Sequence, residues 1–87
     1  MYYVYVMVDV DTSNTYVGFT KDLRQRVKQH QSGKGARYTN HGKWKLAYYE
    51  AFASERDARI RERRLKYEGR GKRQLFERIE YCLAGQE

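Results

Sequence analysis

Residues 2–10, Tyr-Tyr-Val-Tyr-Val-Met-Val-Asp-Val, form an almost unbroken apolar and aromatic run. β-Branched and aromatic side chains favour extended backbone, and a strand that is apolar on both faces belongs in the middle of a sheet. The run is too short to cross a membrane, and no basic segment precedes it as in a signal peptide. Asp11-Thr12-Ser13-Asn14 is a cluster of turn formers, after which Thr15-Tyr16-Val17-Gly18-Phe19 resumes the β composition. Two β runs joined by a short polar turn predict an antiparallel hairpin. With 87 residues in all, the expectation is a single domain over residues 1–87 built around that hairpin.

Leu, Ile, Val and Phe are sparse enough to raise the question of disorder. Nine Tyr and one Trp supply the missing apolar area, and the apolar residues are strongly patterned, so the chain reads as folded with a tyrosine-rich core. The formal charge is +7 and the pI about 9.7. Such a surface suits a polyanion, whose neutralised phosphates release counterions; a basic but unspecialised surface is the plainer alternative. The one cysteine, Cys82, excludes an intrachain disulfide and a cysteine-rich zinc site, which fits a cytoplasmic protein.

Residues 21–32 read as a helix, with Asp22 at its start and Ser32-Gly33 at its stop. The stripe Leu23, Arg26, Val27, His30 has helical spacing. Leu23 and Val27 anchor it. Arg26 and His30, one turn apart, point the same way from positions where a purely structural helix would carry apolar residues. One such residue could snorkel at an edge; two beside the strand end at Tyr16 and Gly18 indicate a polar cleft. Residues 33–43 read as a loop with three glycines, in which Lys34, Arg37 and Lys43 could meet phosphates.

Residues 44–52 predict a third, largely buried strand, with Trp44, Leu46 and Tyr48 on one face and Ala47, Tyr49 and Ala51 on the other. Ser54-Glu55-Arg56-Asp57 resembles a capping box. The helix after it runs to about Glu68, stopping before Gly69 and Gly71, with Ala58, Glu62 and Leu65 inward and Arg61 beside them. An inward glutamate is costly unless it is paired or binds a cation, so Glu62 either holds a metal or forms a salt bridge to Arg26 or another arginine. A last helix, about residues 72–84, packs through Leu75, Phe76, Ile79 and Leu83. Arg70, Lys72 and Arg73 extend the basic surface.

No serine or cysteine nucleophile has an evident base, and His30, His41 and Cys82 lack zinc-ligand spacing. Tyr5 and Tyr16 on paired strands, Arg26 and His30 on one helix and Glu62 on another suit phosphodiester cleavage. Arg26 can stabilise charge on phosphoryl oxygens. Glu62 can hold a hard divalent ion. A tyrosine or histidine can take a proton from water.

In order along the chain, these residues resemble the GIY-YIG nuclease family, and most of all its small, single-domain bacterial members. Tyr3-Val4-Tyr5 stands at the first motif and Tyr16-Val17-Gly18 at the second. Thr20, Leu23, Arg26 and His30 follow at the family's spacing, then the loop from Ser32 to Thr39, then Arg61-Glu62-Arg63-Arg64-Leu65-Lys66. The resemblance implies an α+β fold, a three-stranded antiparallel sheet flanked by three helices. It implies a single Mg²⁺ or Mn²⁺ held through Glu62 and waters, with Tyr16 as general base, Arg26 as phosphate clamp, and Tyr5 and His30 positioning water or relaying protons. A tyrosine ordinarily ionises near pH 10, so a tyrosine base needs a positive neighbour.

The chain departs from the family at Tyr3, which replaces a glycine, and at Phe19, where some repair members carry lysine. Gln74 lies near the position of an asparagine found in larger members. These residues contain no second DNA-binding domain, so the expected protein acts with little sequence preference, recognises a nucleic-acid structure, or borrows a partner protein for specificity. The expected function is a metal-dependent DNA endonuclease in repair or recombination, with RNA as an alternative substrate. The competing expectations are a non-catalytic nucleic-acid-binding module and a protein-interaction domain whose tyrosines are merely core.

Overall fold

The structure is a computed structural model that describes residues 1–33, 39 and 42–84. Three strands, β1 (Tyr2–Asp9), β2 (Thr15–Thr20) and β3 (Trp44–Phe52), form one antiparallel sheet in the order β2-β1-β3. The helices are α1 (Leu23–Gln31), α2 (Glu55–Tyr67), α3 (Gly69–Arg78) and the short α4 (Glu80–Leu83). The fold is thus the expected α+β arrangement. Among the described residues no helix is long and apolar enough to cross a membrane.

The N-terminal run takes the central place, and Val4 through Asp9 are all buried. Its alternation sorts the core into two layers. Val4 and Val6 join Val17, Ala58, Leu65, Leu75 and Ile79, so this face is covered by α2 and α3. Tyr5 and Met7 join Trp44, Tyr16, Leu23, Val27 and Leu46, so the opposite face is covered by α1. The hairpin turn is closed by hydrogen bonds from Asp9 N to Asn14 O (2.8 Å) and from Ser13 N to Asp9 O (2.8 Å).

Each of the first two helices starts on a side-chain cap. The Asp22 carboxylate accepts from Gln25 N, and the Ser54 hydroxyl from Asp57 N; both satisfy donors that the first turn leaves open.

Three sequence expectations are corrected. The third strand lies at an edge, and of its residues only Trp44 is buried. Its faces also differ from strict alternation. Met7 pairs with Leu46 and Val6 with Tyr48, so Ala47 is the extra residue of a β-bulge. The bulge sends Leu46 to the α1 side and Tyr48 to the α2 side. Finally, the last helix, expected from about residue 72, begins at Gly69. The break is Glu68 alone, in extended conformation, and both glycines lie in the first turn of α3. What reads as one final helix is divided at Ile79 into α3 and α4, which gives four helices among the described residues where three are expected.

Candidate active site

The centre of the α1 face is the side chain of Tyr5, which the sheet register sets directly across from Gly18. A Cβ on Gly18 would lie 2.4 Å from the Tyr5 hydroxyl oxygen and 2.5 Å from Cζ. The glycine therefore makes room for the ring: only a residue without a side chain lets Tyr5 lie across β2. The ring is buried, and its hydroxyl meets His30 Nε2 at 2.7 Å. On the other side of the imidazole, Nδ1 meets Thr39 Oγ1 at 2.6 Å. His30 and Thr39 are each only 1% exposed.

A neutral imidazole has one N–H and one lone pair, and a hydroxyl can donate or accept. In either tautomer, one hydroxyl donates to the ring and the other accepts from it. The chain Tyr5–His30–Thr39 is thus fully paired, as a buried polar group must be to avoid a desolvation penalty. Burial sets its protonation. The His30 pKa is pushed down to about 4, mainly by desolvation, with the positive charge of Arg26 acting in the same direction. The Tyr5 pKa is pushed up to about 12 by burial, against a smaller opposing pull from Arg26. Both groups are neutral across the physiological range. Neither is a free acid or base; together they fix one hydroxyl.

Tyr16 lies at the rim of this buried chain, half-buried, its ring 5.0 Å from that of His30 and 6.4 Å from that of Tyr5. Arg26 is half-buried, and its Nη1 donates to Gln29 Oε1 at 2.9 Å. On α2, Glu62 Oε2 forms an ion pair with Lys66 Nζ at 3.1 Å. The same ammonium stands 5.7 Å from the centroid of the Tyr16 ring. Lys66 therefore links the helix carrying Glu62 to the strand carrying Tyr16, and the Glu62 charge is felt at Tyr5. The sequence left Glu62 either a metal ligand or the partner of an arginine. Its carboxylate is bound to a lysine one turn on, while Arg61 turns to Glu50 in a two-pronged pair, Nε at 3.0 Å from Oε1 and Nη2 at 2.8 Å from Oε2.

The structure gathers Tyr5, Tyr16, Arg26 and His30 at one place, with Glu62 alongside through Lys66. A groove of about 520 Å³ opens beside Tyr16, lined also by Lys66, Tyr67 and Lys72. Of the other basic residues singled out in the sequence, Lys72 thus borders the site. Arg70 and Lys43 are exposed, and Arg73 lines a separate groove of about 600 Å³ against Phe76 and Leu83 on the α3–α4 side. Lys34 and Arg37 lie outside the described residues.

Three contributors escaped the sequence reading. Thr39 falls in a loop, where nothing in its neighbours marks it as buried. Gln29, three residues from Arg26, and Lys66, four from Glu62, could have been found from helical spacing.

Among the described residues no three His, Cys, Asp or Glu side chains cluster as ligands for a metal. The donor set is a single carboxylate, Glu62, with its side chain 17% exposed. That suits a hard ion that keeps most of its water, as Mg²⁺ does, and does not suit an all-protein cage.

A family model described as the GIY-YIG catalytic domain matches residues 1–74. The chain is 41% identical over 76 residues to a UPF0213 protein of Lacticaseibacillus paracasei, covering 86% of this chain and 84% of that one. It is 42% identical over 76 residues to a UPF0213 protein of Bacillus pumilus, covering 86% and 76%. A UPF0213 protein of Clostridium perfringens is 43% identical over 67 residues, covering 76% and 71%. No solved structure matches the chain.

Proposed function

The chain belongs to the GIY-YIG family, a family of nuclease type, and from that premise we propose that it is a divalent-metal-dependent endonuclease hydrolysing phosphodiester bonds in DNA. The observation that carries this reading is the buried chain Tyr5–His30–Thr39 beneath Tyr16. A helix whose only task was packing would fill the His30 position with an aliphatic side chain. Here the fold instead buries a polar network and clears Gly18 to admit it.

In the proposed reaction Arg26 binds the scissile phosphate and stabilises charge on its oxygens. Tyr16 takes the proton of the attacking water, and Lys66 holds a positive charge 5.7 Å from its ring. Tyr5, fixed by His30, orients that water through its hydroxyl. Glu62 would hold the Mg²⁺ or Mn²⁺ when one is bound. The ion supplies polarisation of the phosphate and the leaving oxygen. Lys43, Arg70, Lys72 and Arg73, with Lys34 and Arg37, contact flanking phosphates. The reading places the protein in the cytoplasm, acting in repair or recombination, with a partner protein supplying further specificity.

One observation favours a second reading. The Glu62–Lys66 pair satisfies the carboxylate without a metal, as a nucleic-acid-binding module without turnover would have it. Cleavage of labelled duplex, single-stranded, flap and branched DNA in Mg²⁺, Mn²⁺ or EDTA separates the two, with Glu62→Gln purified in parallel. The nuclease reading expects metal-dependent cleavage that falls at least about 10³-fold in Glu62→Gln, several kcal/mol of transition-state stabilisation, while binding persists. DNA bound but uncut by the wild type in every metal would establish the binding module instead.

A further inference from the structure

The α1 face of the sheet has a second flank. Arg26 and His30 serve the β2 side, whereas Arg24 and Lys28 project from the other side of the helix. Together with Lys21 they wall a groove of about 660 Å³ whose floor includes Tyr3 and Tyr49. The two rings meet edge to face, with centroids 6.0 Å apart and planes at 61°. Tyr49 is 52% exposed, so much of its ring faces solvent. Asp22, the acid on this wall, is engaged in capping α1 through Gln25 N. Tyr49 pairs across the sheet with Tyr5, and Tyr3 is two residues from Tyr5 on the same strand. Groove and site therefore occupy one sheet face.

We infer that this groove binds an unpaired nucleotide, its base stacked on Tyr49 and its phosphates against Arg24 and Lys28. Aromatic rings beside a cationic track are what single-stranded nucleic acid recognises. A base within a duplex is already stacked on both sides and has no face to offer. β3 lies two strand spacings from β2, about 10 Å, the span of about three stacked nucleotides at about 3.4 Å each. The inference rests on the nuclease reading and narrows its substrate to DNA with an unpaired segment next to the cleaved bond.

Fluorescence anisotropy in EDTA tests it, with a labelled oligo-dT and a blunt duplex of equal length, while duplex and flap cleavage are followed separately. Tyr49→Ala is expected to weaken oligo-dT binding about tenfold, with Tyr49→Phe within about twofold of wild type and duplex binding unchanged in both. Replacing Arg24 and Lys28 together by Ala is expected to weaken both ligands and flatten their salt dependence. Unchanged oligo-dT affinity in Tyr49→Ala, with cleavage intact, would overturn the subsite and leave the nuclease reading standing. So would displacement of oligo-dT by poly-glutamate at equal charge, which would make the groove a general acceptor of acidic chains. Failure of the wild type to bind either DNA would overturn both.

Discussion

The two faces of β1 use the same backbone for opposite ends. On one, Val4 and Val6 pack against Leu65, Leu75 and Ile79 with no polar group among them. On the other, one residue along, Tyr5 is buried to the same depth but finishes in a hydroxyl that must find His30, which must in turn find Thr39. The aliphatic face obtains its stability from area and volume, which many sequences supply. The tyrosine face depends on partners, each of which a single atom can break. Aliphatic packing and the buried polar network are thereby placed on opposite sides of one strand, and a change on either side has a different signature.

The largest expected effect breaks the aliphatic side alone. Leu75 is 2% exposed and sits on α3, away from Tyr5 and His30. Leu75→Ala is expected to lower unfolding free energy by about 2–5 kcal/mol, read by urea denaturation, while DNA cleavage per folded molecule stays at the wild-type rate. A parallel fall in cleavage of the folded fraction would show that the faces are not separable.

A somewhat smaller effect belongs to the tyrosine face. The folded protein resists protonating His30 down to about pH 4, while in the unfolded chain a histidine takes its proton near pH 6.5. Between these values the unfolded state binds more protons, so stability falls as pH drops from about 6.5 to 4, by about 3 kcal/mol from this group. Denaturation from pH 7 to 4 should show that slope in the wild type and lack its share in His30→Gln. The His30 ring signal in proton NMR should stay in its neutral form until about pH 4. Titration near pH 6.5 would mean that water reaches the ring and that the face is less sealed than its geometry.

The sequence made the central strand legible because β1 is apolar at both alternations, but the same signal in residues 44–52 marked β3 as buried when it lies at an edge. It also made Arg26 and His30 legible, because polar residues at inward helical positions have few explanations, and with them Tyr16 and Gly18 on the adjoining strand. What it hid depends on registers and contacts between distant segments. The Ala47 bulge is invisible because alanine suits either face, so strict alternation carries Leu46 and Tyr48 to the same side when they belong to opposite ones. The need for Gly18 follows from its pairing with Tyr5, a register set by the turn after Asp9 rather than by either motif. Gly69 and Gly71 look like a stop because glycine is a poor helix former, yet first-turn positions tolerate them and Glu68 alone makes the break. Helical spacing offers Lys66 as the partner of Glu62, but the neighbouring arginines offer the same charge and the sequence does not rank them.

The finest division between the faces runs through Thr39. Its methyl and backbone could serve the scaffold, while its hydroxyl serves His30. Thr39→Val keeps the shape and removes the hydroxyl, leaving Nδ1 of a buried, neutral imidazole without a partner. The expected cost is about 1–3 kcal/mol of stability, with a fall in kcat of about tenfold or more as the Tyr5 hydroxyl loses its fixed orientation. Thr39→Ser restores the hydroxyl without the methyl and should recover kcat while regaining only part of the stability. That split is one a packing role cannot produce, since packing would make the serine the worse of the two. If valine instead lowered stability and left kcat unchanged, Tyr5 alone would suffice to hold His30. Thr39 would then belong with Leu75 and Val6 as scaffold, and the chemistry of this face would end at the imidazole.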